Sequence, residues 1–257
     1  MIISNTKSQF IRTTDLGISS LSDIKTISPI NKEYNVKGST TSSEKIDQLK
    51  ACGLEPFTLD ISNQQNDITA FLNTDILIIL ITSKNIDDFS NLISQIENSK
   101  IKKVIFISST SVYPNTNRKV SEETPTKTTV LAEIEQLFRH NTIFKTTIVR
   151  FGGLFGYDRQ PGNFIKPDKK IANPEGYINF IHQDDCVQII EQVIDKKLWG
   201  ETLNACTDSH PKRRDFYRKE MNKIGKPEPQ FNDESDTTYK IISSIKPMLS
   251  IVQKLRR

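Results

Sequence analysis

Val104-Ile-Phe-Ile107 runs directly into Ser108-Ser109-Thr110-Ser111-Val112-Tyr113-Pro114. An apolar, β-branched run that stops abruptly in clustered hydroxyls reads as a buried parallel strand whose carboxyl end presents a polar surface. In open α/β sheets helices cover both faces, so ligands bind at the carboxyl ends of the strands.

Outward from this stretch the pattern repeats. Asn35 to Gly38 reads as a short strand, and Thr41-Ser-Ser-Glu44 is a capping-box signature for a helix over Lys45 to Ala51, with Gly53 as its left-handed stop. Leu54 to Asp60 is the next strand, Asp67 to Leu72 a helix, and the aliphatic run Ile76 to Ile81 a central strand. Phe89, Leu92, Ile93 and Ile96 recur at helical spacing within Ile86 to Ser99. A helix over Val130 to Arg139 and a strand over Thr146 to Arg150 follow the hydroxyl-rich segment. Strands separated by helices of this length imply right-handed crossovers and an α/β, doubly wound, parallel Rossmann-type sheet.

After Gly156 the periodicity weakens. Asp185 reads as the cap of a helix reaching Ile194, Gly200 to Cys206 as a late strand, and Arg214 to Ile224 as a last helix before a polar tail. The expected division is a dinucleotide-binding domain over 1–165, its first 33 residues atypical, and a small C-terminal substrate lobe over 166–257.

Composition narrows the function classes. The 257 residues suit one α/β domain with extensions. The net charge of +4 arises from 35 basic and 31 acidic residues that are dispersed, which argues against nucleic acid as a partner. Lys212 to Arg214 and Lys254 to Arg257 read as solvated surface. Cys52, Cys186 and Cys206 have no metal-ligand spacing, so no metal is expected and the thiols read as incidental. No apolar run reaches the roughly 20 residues that span a bilayer, and no signal pattern opens the chain; a soluble cytoplasmic protein is expected, with no membrane partner. Oligomeric state is not readable.

Several compound motifs resemble the NAD-dependent epimerase/dehydratase family, the extended short-chain dehydrogenase/reductases. The Ser-Ser-x-x-Val-Tyr segment at Ser108 to Tyr113 is one. Val149-Arg-Phe-Gly-Gly-Leu-Phe-Gly156 with Arg159 is similar to the segment after the sixth strand of these enzymes, Asn179-Phe-Ile-His-Gln-Asp-Asp185 to their Asn-x-Ile-His-x-Asp-Asp, and Gly200-Glu-Thr-Leu-Asn204 to their Gly-x-x-(Tyr/Leu)-Asn. The resemblance covers roughly Gly17 to Phe231. It implies a dinucleotide cofactor and a small or nucleotide-linked substrate, with Ser109 orienting the substrate.

Two departures bear on chemistry. The family's tyrosine has a lysine four residues later that lowers its pKa, and none of the six tyrosines here has one. The register set by Glu135 places Lys127 and Leu131 at those two positions. Tyr113 is then the candidate substitute acid, or an aromatic packed beside the site. The second departure is the phosphate loop, where Gly17, Ser19 and Ser22 stand for three glycines. Either the loop binds cofactor with reduced affinity or it has lost that role. Ile11 to Asp15 before it is too polar for a central buried strand.

The remaining cofactor candidates are Ser39, Thr40, Thr41, Asp60, Ile61, Thr82, Ser83, Ser108, Phe151 and Gly152; substrate candidates are Thr110, Ser111, Arg159 and His182. Asp60 resembles the family's acid near the adenine and is equally an ordinary strand-end acid. The end of the second strand, Gly38 to Ser42 with Lys45 one turn on, lacks the acid that would hold the NAD ribose 2′-hydroxyl, so NADP is favoured over NAD. An oxidoreductase or epimerase is one expectation, and a non-catalytic sensor or scaffold that binds nucleotide is the other.

Overall fold

The computed structural model describes residues 2–4, 9–12, 36–81, 83–166 and 169–243. Gly17, Ser19, Ser22 and Thr82, all proposed cofactor contacts, lie outside the described residues, as does the Lys254 to Arg257 tail.

The strands are β1 (Ile2–Ser4), β2 (Gln9–Arg12), β3 (Lys37–Thr40), β4 (Glu55–Thr58), β5 (Ile76–Leu80), β6 (Lys103–Ser109), β7 (Lys119–Val120), β8 (Lys145–Phe151), β9 (Gly153–Phe155), β10 (Phe180–His182), β11 (Thr202–Ala205) and β12 (Ile241–Ile242). The helices are α1 (Ile46–Ala51), α2 (Thr69–Leu72), α3 (Ile86–Glu97), α4 (Val130–Arg139), α5 (Gln183–Asp195) and α6 (Arg213–Lys223). Eight strands form one sheet in the order β11-β8-β6-β5-β2-β1-β3-β4.

Parallel pairing joins β2 to β5, β5 to β6 and β3 to β4. This is the α/β architecture with a parallel, helix-covered sheet that the strand–helix alternation implies. One strand breaks the rule: β1 runs antiparallel to both β2 and β3. The expectation that Ile11 to Asp15 is too polar for a central strand is also corrected for Ile11 and Arg12, because Gln9–Arg12 lies between β5 and β1; Thr13 to Asp15 lie outside the described residues. Backbone pairing of Gln9 with Leu77 and Ile11 with Ile79 fixes the strand there. Ladder geometry outweighs local composition in such cases.

Two starts differ from the sequence reading. The Thr41 capping box does not form; the chain enters a short 3-10 turn at Ser43–Lys45, with Ser42 at the cap and no side-chain cap bond. Instead Thr40 Oγ1 accepts from the Ser42 amide at 3.2 Å. Asp185 is not a cap either, since α5 begins at Gln183 and Asp185 lies buried within its first turn. The operative caps are Asn85, which accepts from the Asp87 amide, and Thr129, which accepts from the Ala132 amide. Gly53 takes φ 74° as the helix stop requires.

The chain divides into two compact units whose segments interleave in sequence. The first comprises Met1–Ser108, Thr128–Arg150 and Ile190–Leu203. Its core packs the apolar faces of α3 and α4 on the sheet, with Phe106 stacked on Phe138 at 4.8 Å and Phe89 edge-on to both. The second comprises Ser109–Lys127, Phe151–Ile189 and Asn204–Arg257. It holds the parallel pairs β9–β10 and β7–β12 and a small cluster of Ile171, Ile178 and Tyr217.

Phe138 is fully buried and touches three other phenyl rings. Phe138→Ala should therefore cost about 3–5 kcal/mol, the transfer and cavity terms together. Urea unfolding measures it; a loss below about 1 kcal/mol would mean that this aromatic cluster does not hold α4 to the sheet.

Candidate functional site

Beneath the end of β6 lies a buried charge network within the first unit. Ser108 Oγ donates to Glu135 Oε1 at 2.6 Å. Arg150 forks onto the same carboxylate, with Nε to Oε1 at 3.0 Å and its terminal nitrogen to Oε2 at 2.5 Å. Glu135 is wholly buried and Arg150 is 2% exposed. A charge pair so far from water persists only if its lone pairs and protons are well matched, and the two-pronged arginine contact with a third donor supplies that. Ser108 was expected to face the cofactor; its hydroxyl is instead committed inward, because Glu135 would otherwise be left with an unfilled acceptor.

The other first-unit candidates lie at or just beyond the carboxyl ends of parallel strands. Ser39 and Thr40, the last two residues of β3, are buried, and Thr41 just beyond is exposed. After β4, Asp60 is exposed and accepts from the amide and hydroxyl of Ser62, with Ile61 packed partly against the core. Near the start of α3, Ser83 donates to the buried Asp88 at 3.4 Å and accepts from the Asn85 amide.

In the second unit the hydroxyl segment forms a 3-10 turn. Ser109 Oγ accepts from the Ser111 amide at 3.1 Å, and the Tyr113 amide donates to the Thr110 carbonyl. Thr110 is buried, whereas Ser111 is exposed and Ser109 partly so. Tyr113 is fully buried, and its phenol donates to Asn204 Oδ1 at 2.9 Å. The Asn204 backbone N–H in turn donates to Glu122 Oε1, and its side-chain amide donates to the Ser243 carbonyl. The suggestion that Tyr113 is a substitute acid is corrected on this ground: its proton is spent on a buried structural bond, which leaves the packing alternative.

Four further candidates belong to the second unit. Phe151 is buried, and a side chain on Gly152 would meet the Asn179 carbonyl oxygen at 2.8 Å, so this glycine permits close strand approach. His182 accepts from the Asp184 amide at 3.2 Å and packs edge-on to Phe155, while the Tyr157 hydroxyl bonds to Asp184. Arg159 donates to the Leu154 carbonyl and lies over Phe164. Among the described residues no group of histidine, cysteine or acidic side chains could hold a metal ion. Burial pushes the Cys206 thiol up to about 12 and Cys186 well above its usual value, which makes both poor nucleophiles. No described helix is long and apolar enough to cross a membrane.

Sequence reasoning passed over one residue altogether. Lys240 donates to the Tyr113 carbonyl at 2.6 Å, and burial, with the charge of Lys127, brings its ammonium down to about 8. It lies in a polar tail with no periodic signal.

No family model matches the chain. It is 27% identical to Protein YeeZ of Escherichia coli strain K12 over 221 residues, covering 79% of this chain and 80% of the relative. Its fold is shared with a functionally unknown conserved protein from Silicibacter pomeroyi (TM-score 0.74, 16% identity, 96% of this chain and 93% of that one). It is shared as well with the UDP-glucuronic acid 4-epimerase of Bacillus cereus, solved in complex with UDP-glucuronic acid and NAD (TM-score 0.70, 16% identity, 96% and 92%). The Rossmann-type fold expected from the resemblance to epimerase/dehydratases is thus observed.

The Tyr113–Asn204 bond has a measurable consequence. Tyr113→Phe leaves the Asn204 carbonyl oxygen without its donor and should cost about 1–3 kcal/mol in stability. Chemical denaturation reads it, and an unchanged midpoint would show that the phenol is not held by Asn204.

Proposed function

We propose that the chain is a dinucleotide-binding protein of the epimerase/dehydratase type that uses NADP in preference to NAD and acts in the cytoplasm on a small or nucleotide-linked substrate. The observation that carries this reading is the hydroxyl-rich end of β3, which has no acidic residue from Gly38 to Ser42; Glu44 stands beside Lys45 in the turn that follows. Thr41 and Ser42 follow that strand immediately and Lys45 stands one turn on. A 2′-phosphate is accommodated by hydroxyls and a cation, whereas a carboxylate at the strand end itself would repel it. These described residues fit the ribose end of a dinucleotide, with Asp60 and Ile61 beyond β4 and Ser83 beyond β5 as further contacts. Bound there, the cofactor would supply hydride exchange with a substrate carbon.

For the substrate, Ser109 is the group placed to orient a hydroxyl or carbonyl oxygen. Its Oγ accepts from the Ser111 amide, and its own proton remains to be donated. Thr110, Ser111, Arg159 and His182 are the further substrate candidates. Support also comes from the fold shared with an epimerase solved with NAD.

A second reading is favoured by one specific feature. No tyrosine here has lysine four residues on, and Tyr113 is consumed structurally. Acid–base catalysis typically contributes about 10²–10⁴-fold. A member without it is a slow enzyme or a nucleotide-binding sensor, and the two are separated by turnover on sugar nucleotides with bound cofactor.

The cofactor reading predicts a larger rise in melting temperature with NADPH than with NADH at equal concentration, since stabilisation follows RT ln(1 + [L]/Kd). Lys45→Gln should reduce the NADPH shift and leave the NADH shift unchanged. A larger shift with NADH, or no shift with either, would overturn the assignment.

A further inference from the structure

The segment from Ser235 to Ser243 has almost no regular structure of its own, yet it is tied down along its length by asparagine side chains. The Asn173 backbone N–H donates to Ser235 Oγ at 2.7 Å, and its side-chain amide donates to the Thr238 carbonyl. The Asn117 amide donates to the Tyr239 carbonyl at 2.9 Å, and Asn117 Oδ1 accepts from the Tyr239 amide at 2.8 Å. Asn179 donates to the Lys240 carbonyl at 2.9 Å and accepts from the Ile242 amide at 2.8 Å, and Asn204 donates to the Ser243 carbonyl. Tyr239 stacks edge-on against Tyr177, and Ile242 is buried beside β7. An amide side chain offers both donor and acceptor, so it can replace a missing strand neighbour for an extended backbone.

What this clamp positions is Lys240. Its ammonium is half-buried and is held by one neutral partner, the Tyr113 carbonyl at 2.6 Å, at the end of the Ser109 to Tyr113 turn. Among the described residues no carboxylate forms an ion pair with it. The charged group that acts on it is another cation, Lys127, whose own amide is fastened to the Val112 carbonyl at 2.9 Å. Glu122 accepts from the Asn204 amide, and the Tyr113 phenol donates to Asn204 Oδ1. Desolvating an ammonium beside a like charge costs free energy. The cost is relieved if an anion completes the site.

We propose that Lys240 and Lys127, set against the Ser109 to Tyr113 turn, form a subsite for an anionic oxygen group, a carboxylate or phosphate, on the molecule that binds there. Ser111, exposed on the turn, is available to add a neutral hydrogen bond. This goes beyond the dinucleotide reading and does not depend on it, because none of the cofactor candidates takes part.

The sign of the pH effect follows. Without anion Lys240 loses its proton near pH 8. An anion favours the charged form, so its midpoint rises, binding takes up a proton at and above pH 8, and affinity strengthens as pH falls.

The test uses the full chain with lysine side chains labelled with ¹⁵N, and follows the Lys240 Nζ resonance by NMR while titrating pH with no anion, with malonate and with inorganic phosphate. The expected result is a midpoint near 8 that moves upward with one or both probes. Movement with malonate alone assigns a carboxylate, and movement with phosphate alone a phosphate. Lys240→Gln should weaken binding of the effective probe about tenfold, the loss of one charge-assisted bond. Lys127→Gln, at an exposed position, should raise the anion-free midpoint and also weaken binding. A Lys240 midpoint indifferent to both probes, or binding unchanged in Lys240→Gln, overturns the proposal. If NADPH still stabilises the protein in that case, the cofactor reading stands and only the anion subsite is withdrawn.

Discussion

A carboxylate with no exposure to water and an arginine almost as deeply buried determine where β6 can end. Glu135 on α4 and Arg150 on β8 meet through two contacts, and Ser108 at the last turn of β6 fills the remaining acceptor. Each group alone would carry a large desolvation cost, so all three must be in place together. The consequence is positional. Ser108 is fastened inward, and Ser109, one residue on and on the opposite side of the strand, begins the hydroxyl turn. The residues proposed to meet a substrate thus start from a strand end that cannot shift register without stranding a charge.

Most of the frame was legible in the sequence because it rests on periodicity. Ile76 to Ile81 and Val104 to Ile107 could only be buried strands, and Phe89, Leu92, Ile93 and Ile96 could only be one face of a helix. The antiparallel β1 and the central placement of Gln9–Arg12 were not legible, since ladder pairing is a tertiary choice that short polar segments do not announce. Caps were misread where two hydroxyl residues compete. Thr40 bonded to the Ser42 amide and displaced the capping box that Thr41 and Glu44 spell out.

At the candidate site, residue type was readable and commitment was not. Sequence shows that Ser108 and Tyr113 carry hydroxyls; only the fold shows that one serves Glu135 and the other Asn204. Partners 27 and 91 residues away have no local signature. Lys240 is the extreme case, since its contact with Tyr113 spans 127 residues and its segment is polar and aperiodic. The asparagines that clamp it include Asn179 and Asn204, which stand within the quoted motifs for a reason the motifs do not state.

The dependence of the strand end on the buried pair is tested most directly by a double-mutant cycle at Glu135 and Arg150, using Glu135→Leu, Arg150→Met and both together, with stability measured by denaturant unfolding. The account predicts that each single variant loses several kcal/mol, roughly 3–5, because it leaves an uncompensated buried charge, and that the double variant recovers much of that loss. Single-variant losses that simply add, with no coupling beyond about 0.5 kcal/mol, would contradict it.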